Sequence, residues 1–121
     1  MHRRIVVTGL GAVTPIGNNV ADTWAGIIAG RSGIGLIDSF DTQGFSSRIG
    51  GMIRDFDLDT YLSAKDARKM DPFIHYGIAS AVQAIDDSGL EITEENSERI
   101  GIAYGSGIGG LPGIERGHAA Y

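Results

Sequence analysis

Gly105-Ser106-Gly107-Ile108-Gly109-Gly110 follows an apolar run and has the G-x-G-x-x-G spacing of a phosphate cradle. In a dinucleotide site such glycines let backbone N–H groups approach a pyrophosphate. A helix must then open at once, with its N-terminus on the same anion, and an acidic residue must stand about 20 positions further on. Pro112 and Gly113 disturb the place where that helix should begin, so these glycines fit a tight turn with closely packed backbone better than a ligand cradle. Gly9 and Gly11 fail sooner, because the sixth position of their motif is Thr14 and Pro15 follows. No P-loop lysine follows either cluster.

Lys65, Arg68 and Lys69 form a second group, and Lys65 and Lys69 are the only two lysines in the chain. On a helix, positions i, i+3 and i+4 put all three cations on one face. Such a face steers an anionic partner, and salt weakens the attraction. Taken alone, a solvated helix end partly neutralised by Asp66 and Asp71 is the commoner cause of this pattern. The histidines offer less. His2, His75 and His118 lack metal-ligand spacing, and His75 falls beside an apolar helical stripe. No Ser, His and acid arrangement suggests a triad. With no Cys, the chain can hold no disulfide, no thiolate metal site and no cysteine nucleophile.

The elements that position these groups belong to an ordinary globular chain. Its 121 residues are 42% hydrophobic and 21% charged, which argues against wholesale disorder. The net charge of −5 gives no support to nucleic-acid binding. Nineteen glycines exceed the usual share of about 7% roughly twofold and cluster at turns. His2-Arg3-Arg4 and the apolar residues behind it look briefly like a signal peptide, but Thr8, Gly9, Gly11 and Pro15 break the pattern. No run approaches the ~20 apolar residues of a membrane span, so a cytoplasmic protein is expected.

Arg4 to Val13 reads as a strand buried on both faces. Asn18 or Asn19 caps a helix whose Val20, Trp24, Ile27 and Ile28 share a face, with Gly30 as its stop. Ser32 to Ser47 reads as loop, Arg48 to Phe56 as a weak strand, and Asp57 to Met70 as a short helical stretch. Asp71-Pro72 starts a strong helix with the stripe Ile74, Ile78, Ala81, Val82 and Ile85, closed by Gly89. Ile100 to Tyr104 is a second apolar strand. Two buried-type strands do not make a stable sheet, so residues 1–121 are expected to be one domain's incomplete portion.

Four blocks in order carry a more specific message: VVTGLGAVTPIG at 6–17, RKMDPF at 68–73, DSGLEITEEN at 87–96 and RIGIAYGSGIGG at 99–110. Together they resemble the elongating β-ketoacyl-acyl-carrier-protein synthases, most of all the type II members that handle longer acyl chains. The resemblance implies an α/β, thiolase-like fold, with this chain as the amino-terminal part of the first of two duplicated βαβαβαββ halves. It implies a decarboxylative Claisen condensation between a cysteine-bound acyl group and malonyl-acyl carrier protein, with no cofactor or metal, in a homodimer.

By the same resemblance, Lys65, Arg68 and Lys69 match positions that dock the acidic acyl carrier protein. Ile108 matches the residue gating the acyl pocket, with Gly107 and Gly109 letting backbone pass close to it. The family's nucleophilic cysteine and catalytic histidine pair match nothing here, and His75 and His118 correspond to neither. The chain alone is therefore expected to be inert. A non-catalytic carrier-protein-binding module and, further off, a dinucleotide-binding half-domain are the alternatives.

Overall fold

The computed structural model describes residues 3–121; His2 lies outside them. Its organising element is helix α3, Pro72–Ser88, which follows α1 (Val20–Ile28), β1 (Ile34–Leu36), β2 (Ile49–Gly51) and α2 (Ala64–Ala67). A 3-10 turn, Ser97–Arg99, and α4, Leu111–Ala119, complete the order. Pro72 opens α3 where a missing N–H costs nothing, and Gly89 closes it at φ 62°, a left-handed conformation that glycine takes without strain. Helix α1 begins as expected: the Asn19 side chain accepts the Asp22 N–H at 2.8 Å.

The opening segment differs from the expected strand. Residues 4–13 are extended but pair with no other strand, and Ile5 and Val7 are 93% and 80% exposed. A doubly buried strand needs a neighbour on each side and a layer on each face, and none of the described elements supplies them. The segment instead runs antiparallel along α3, using helix side chains as its ladder. Leu10 N–H donates to Asp87 Oδ2 at 2.8 Å and Ala12 N–H to Gln83 Oε1 at 3.2 Å. Alternating with these two residues, Gly9 and Gly11 face the helix backbone. A Cβ at Gly11 would stand 2.8 Å from the Ser80 carbonyl carbon and 2.9 Å from the Ala84 nitrogen. A Cβ at Gly9 would stand 2.7 Å from the Ser88 nitrogen. The two periods match: alternate residues of an extended chain advance ~6.8 Å, and one i to i+4 step of a helix about 6 Å.

Ile100 to Tyr104 is likewise unpaired, with Ile102 and Tyr104 74% and 66% exposed. The sheet that does form is small. β1 pairs antiparallel with β2 in the register Ile34↔Gly51, Gly35↔Gly50, Leu36↔Ile49. Thus a strand lies inside the segment read as loop, and the weak strand signal at 48–56 contracts to three residues. Arg54 closes this ribbon onto Asp38 at 2.7 Å. That hydrogen bond first, and the guanidinium charge second, hold the Asp38 carboxyl below the usual carboxylate value.

Helix α4 corrects a further expectation. It opens directly after the glycine run, because Pro112 sits in the first turn, where proline is tolerated. Burial around α3 is thin. Ala79 is the one fully buried apolar residue among those described, and large apolar side chains such as Trp24 stay over half exposed. The accessible surface is 9871 Å², against about 6,300 Å² for a folded monomer of this mass. Much of the apolar surface that α1, α3 and the two extended segments present has no partner among the described residues.

Candidate functional site

Three parts of the molecule lie along α3. The cationic segment is the first. Ser63 caps α2 by accepting the Asp66 N–H at 3.1 Å, and the helix lasts one turn before the chain turns into α3. Lys65, Arg68 and Lys69 are all exposed on this turn. Lys69 pairs with Asp66 at 3.4 Å, whereas Lys65 and Arg68 have no carboxylate partner among the described residues. Arg68 Nε instead donates to the Ala64 carbonyl at 3.0 Å. Asp71, expected to help neutralise the cluster, is engaged elsewhere: it pairs with Arg116 at 2.8 Å.

His75 anchors the segment from behind. Its Nε2 lies 3.0 Å from the Ala67 carbonyl, which can only accept, so Nε2 carries the proton of this bond. The histidine thus fastens the end of α2 to α3, in keeping with a packing role. Stacked Phe56 and Tyr61, with ring centroids 5.8 Å apart, and Tyr76 edge-on to Phe56 at 5.2 Å hold the preceding turn to the same helix.

The glycine loop is the second part. Ile108 is 76% exposed on it. Added Cβ atoms at Gly105 and Gly107 would meet nothing within 4 Å, so neither packs closely against any described residue. Gly109 has φ 86°, and its Cβ position lies 3.5 Å from the Phe73 ring. The third part is an apolar groove of about 470 Å³ between α3 and the 102–106 segment, lined by Phe73, Ile74, Ile78, Val82, Ile85 and Ile102. Gly105 and Ser106 reach its edge, and Ile108 does not line it.

Two α3 residues that the sequence did not single out tie these parts together. Gln83 donates from Nε2 to the Asn18 carbonyl and the Tyr61 hydroxyl, both at 2.9 Å, while its Oε1 receives Ala12. Ser80 Oγ lies 2.7 Å from the Tyr104 hydroxyl. A polar and small stripe, Ser80, Gln83, Ala84, Asp87 and Ser88, on an otherwise apolar helix was the available signal.

This arrangement can bind and position, and it holds no thiol. The chain has no cysteine, His75 is committed to Ala67, and His118 is exposed on α4. No group of three or more His, Asp or Glu side chains suited to a metal occurs among the described residues. No helix among them is long and apolar enough to cross a membrane.

Comparison with known proteins matches the chain to a family. Residues 2–120 match the model of the β-ketoacyl synthase N-terminal domain. The chain is 58% identical over 118 residues to 3-oxoacyl-acyl-carrier-protein synthase 2 of Vibrio harveyi, covering 98% of this chain and 28% of that protein. The proteins of the same name from Coxiella burnetii and Synechocystis are 49% and 48% identical, with 98% and 93% of this chain covered and 28% and 27% of theirs. Among solved structures, the ishigamide ketosynthase/chain length factor superposes with a TM-score of 0.69 at 36% identity, over 79% of this chain and 23% of that one. The chain therefore spans about 28% of the length of the curated relatives it matches. By family match, identity and superposition together, it belongs to the β-ketoacyl synthase N-terminal domain family and has an α/β, thiolase-like fold.

Proposed function

We propose that residues 1–121 serve as the amino-terminal portion of a cytoplasmic, homodimeric 3-oxoacyl-acyl-carrier-protein synthase that elongates fatty acyl chains. In that reaction an acyl group passes from its carrier protein to a cysteine thiolate. Malonyl-carrier protein loses carbon dioxide, and the resulting carbanion attacks the acyl thioester, releasing the thiolate and leaving a 3-oxoacyl-carrier protein. The cysteine and the histidines that stabilise the enolate come from the remainder of the polypeptide, since this chain offers no thiol. Alone it is inert. Its own contributions are a docking surface for acyl carrier protein at Lys65, Arg68 and Lys69, and a pocket-side loop carrying Gly107, Ile108 and Gly109.

The observation carrying this reading is the joint exposure of Lys65, Arg68 and Lys69 on one turn, two of them free of carboxylates, in a chain of net charge −5. A local cationic face of this kind selects an anionic protein surface by complementarity and on-rate. The relatives, synthases that act on acyl carrier protein by name, point to the matching partner. Titrating holo-acyl carrier protein onto the polypeptide at rising ionic strength tests it. Affinity is expected to fall about tenfold between 0.05 and 0.5 M salt as the Debye length contracts. Salt-independent binding, or none at low salt, contradicts the docking surface.

A further inference from the structure

Asp71 stands at the N-cap position of α3, yet its carboxylate makes no hydrogen bond to that helix. It turns to α4 instead. Oδ2 accepts the Gly113 N–H at 3.1 Å, and Oδ1 receives the Arg116 guanidinium at 2.8 Å. Gly113 is the third residue of α4, and Pro112 before it has no N–H to offer, so Asp71 caps α4 in place of its own helix. The Asp71 side chain is only 15% exposed, which shields the pair from solvent on that side.

Two glycines make this seat. A Cβ at Gly113 would stand 2.6 Å from Asp71 Oδ2, and a Cβ at Gly110 would collide with the same oxygen. Together with Gly109 against Phe73, they clamp the far end of the glycine loop onto the first turn of α3. The near end is unclamped, because Gly105 and Gly107 have nothing close. Ile108 sits at the junction of free and fixed halves. On the other side of Asp71, only two residues away, Lys69 ends the cationic segment, itself held to α3 by His75 and Ala67. Asp71 is thus the joint that the two functional parts share.

We propose that Asp71 is a positioning residue: it fixes the Ile108 loop, whose Gly105 and Ser106 edge the apolar groove, against α3 beside the docking segment, and thereby sets the acyl-chain length that groove accepts. The chain-length consequence rests on the condensing-enzyme reading above, whereas the placement of Ile108 does not.

The test compares wild type, Asp71→Asn and Asp71→Ala in the complete polypeptide that carries this segment. Asn keeps an acceptor for Gly113 and loses the charge on Arg116; Ala loses both. Hydrogen exchange at Gly113 is expected to rise more than about tenfold in D71A and less in D71N, with Gly89 at the far end of α3 unchanged. The Ile108 methyl resonance is expected to shift in both variants. The ratio of kcat/KM for long over short acyl-carrier proteins should change about fivefold or more, while carrier-protein Kd stays within about twofold. An unmoved Ile108 methyl overturns the proposal, as does faster exchange at Gly113 and Gly89 alike. An equal fall in kcat/KM at every chain length reveals a merely structural role and also overturns it. If wild type does not condense at all, the condensing-enzyme reading fails, and Ile108 and Gly113 still decide the placement. Should D71A fail to fold, D71N carries each comparison.

Discussion

Replacing Gly11 by valine is expected to destabilise the fold by about 3 kcal/mol, and by alanine about 2 kcal/mol, in chemical denaturation of the polypeptide. The atoms a new Cβ would meet at this position, the Ser80 carbonyl and the Ala84 nitrogen, are helix backbone and cannot rotate away. Relief requires the opening segment to lift from α3. That movement stretches the bonds from Leu10 to Asp87 and from Ala12 to Gln83, each a contribution of about 1 kcal/mol. It also withdraws Ala12 from a side chain that holds Asn18 and Tyr61, so the loss spreads toward α1 and the 56–62 turn. Gly101 is the control. Its Cβ position meets nothing within 4 Å, so Gly101→Ala should stay within about 0.5 kcal/mol of wild type. Equal tolerance of alanine at 11 and 101 would show that Gly11 makes no close approach to α3.

Reversing Lys65, Arg68 and Lys69 together to glutamate is expected to weaken carrier-protein binding more than about a hundredfold at low salt, with little change in stability. Charge reversal does more than delete attraction, because it sets like charges against an acidic surface. The fold should tolerate it, since all three side chains are exposed and the fastening of α2 runs through Ser63 and His75 instead. The single variant Lys69→Glu should have the smallest effect, because Asp66 already draws on that charge at 3.4 Å. Reversal of Lys65 or Arg68, neither paired with a carboxylate, should account for most of the loss. Calorimetry at two salt concentrations reads the effect, which should shrink at the higher one. Binding unaltered in the triple variant would place the docking surface elsewhere.

The parts of the fold legible in the sequence are those fixed by local chemistry. Asn19, Pro72 and Gly89 mark helix ends through capping and backbone geometry within a few residues, and α1 and α3 follow them closely. Strands are another matter. Ile5 to Val13 and Ile100 to Tyr104 have the β-branched, apolar character of buried strands, but a strand exists only with a neighbour, and here neither has one. Ile34–Leu36 was hidden for the opposite reason. Glycine and serine around it mask a pairing that depends on Ile49–Gly51 across a long connection.

The site divides along the same line. Lys65, Arg68 and Lys69 share a turn because their spacing is local. Asp71 looks like an ordinary cap in sequence and is one, but for α4, 42 residues away. Gly9, Gly11, Gly110 and Gly113 advertise a need for room without saying which backbone or carboxylate occupies it. The resemblance of four ordered blocks went further than any of these, and the family match over residues 2–120 agrees with it.

In the proposed function, residues 1–121 give a condensing enzyme docking and scaffolding and no chemistry. The most direct test is mass-spectrometric detection of 3-oxoacyl-carrier protein from acyl- and malonyl-carrier proteins. The 121-residue chain is compared with the complete polypeptide carrying it. Product is expected from the complete polypeptide and none above blank from the 121-residue chain, which has no cysteine to carry the acyl group. Product formed by the 121-residue chain, or none formed by the complete polypeptide, would contradict the proposed function.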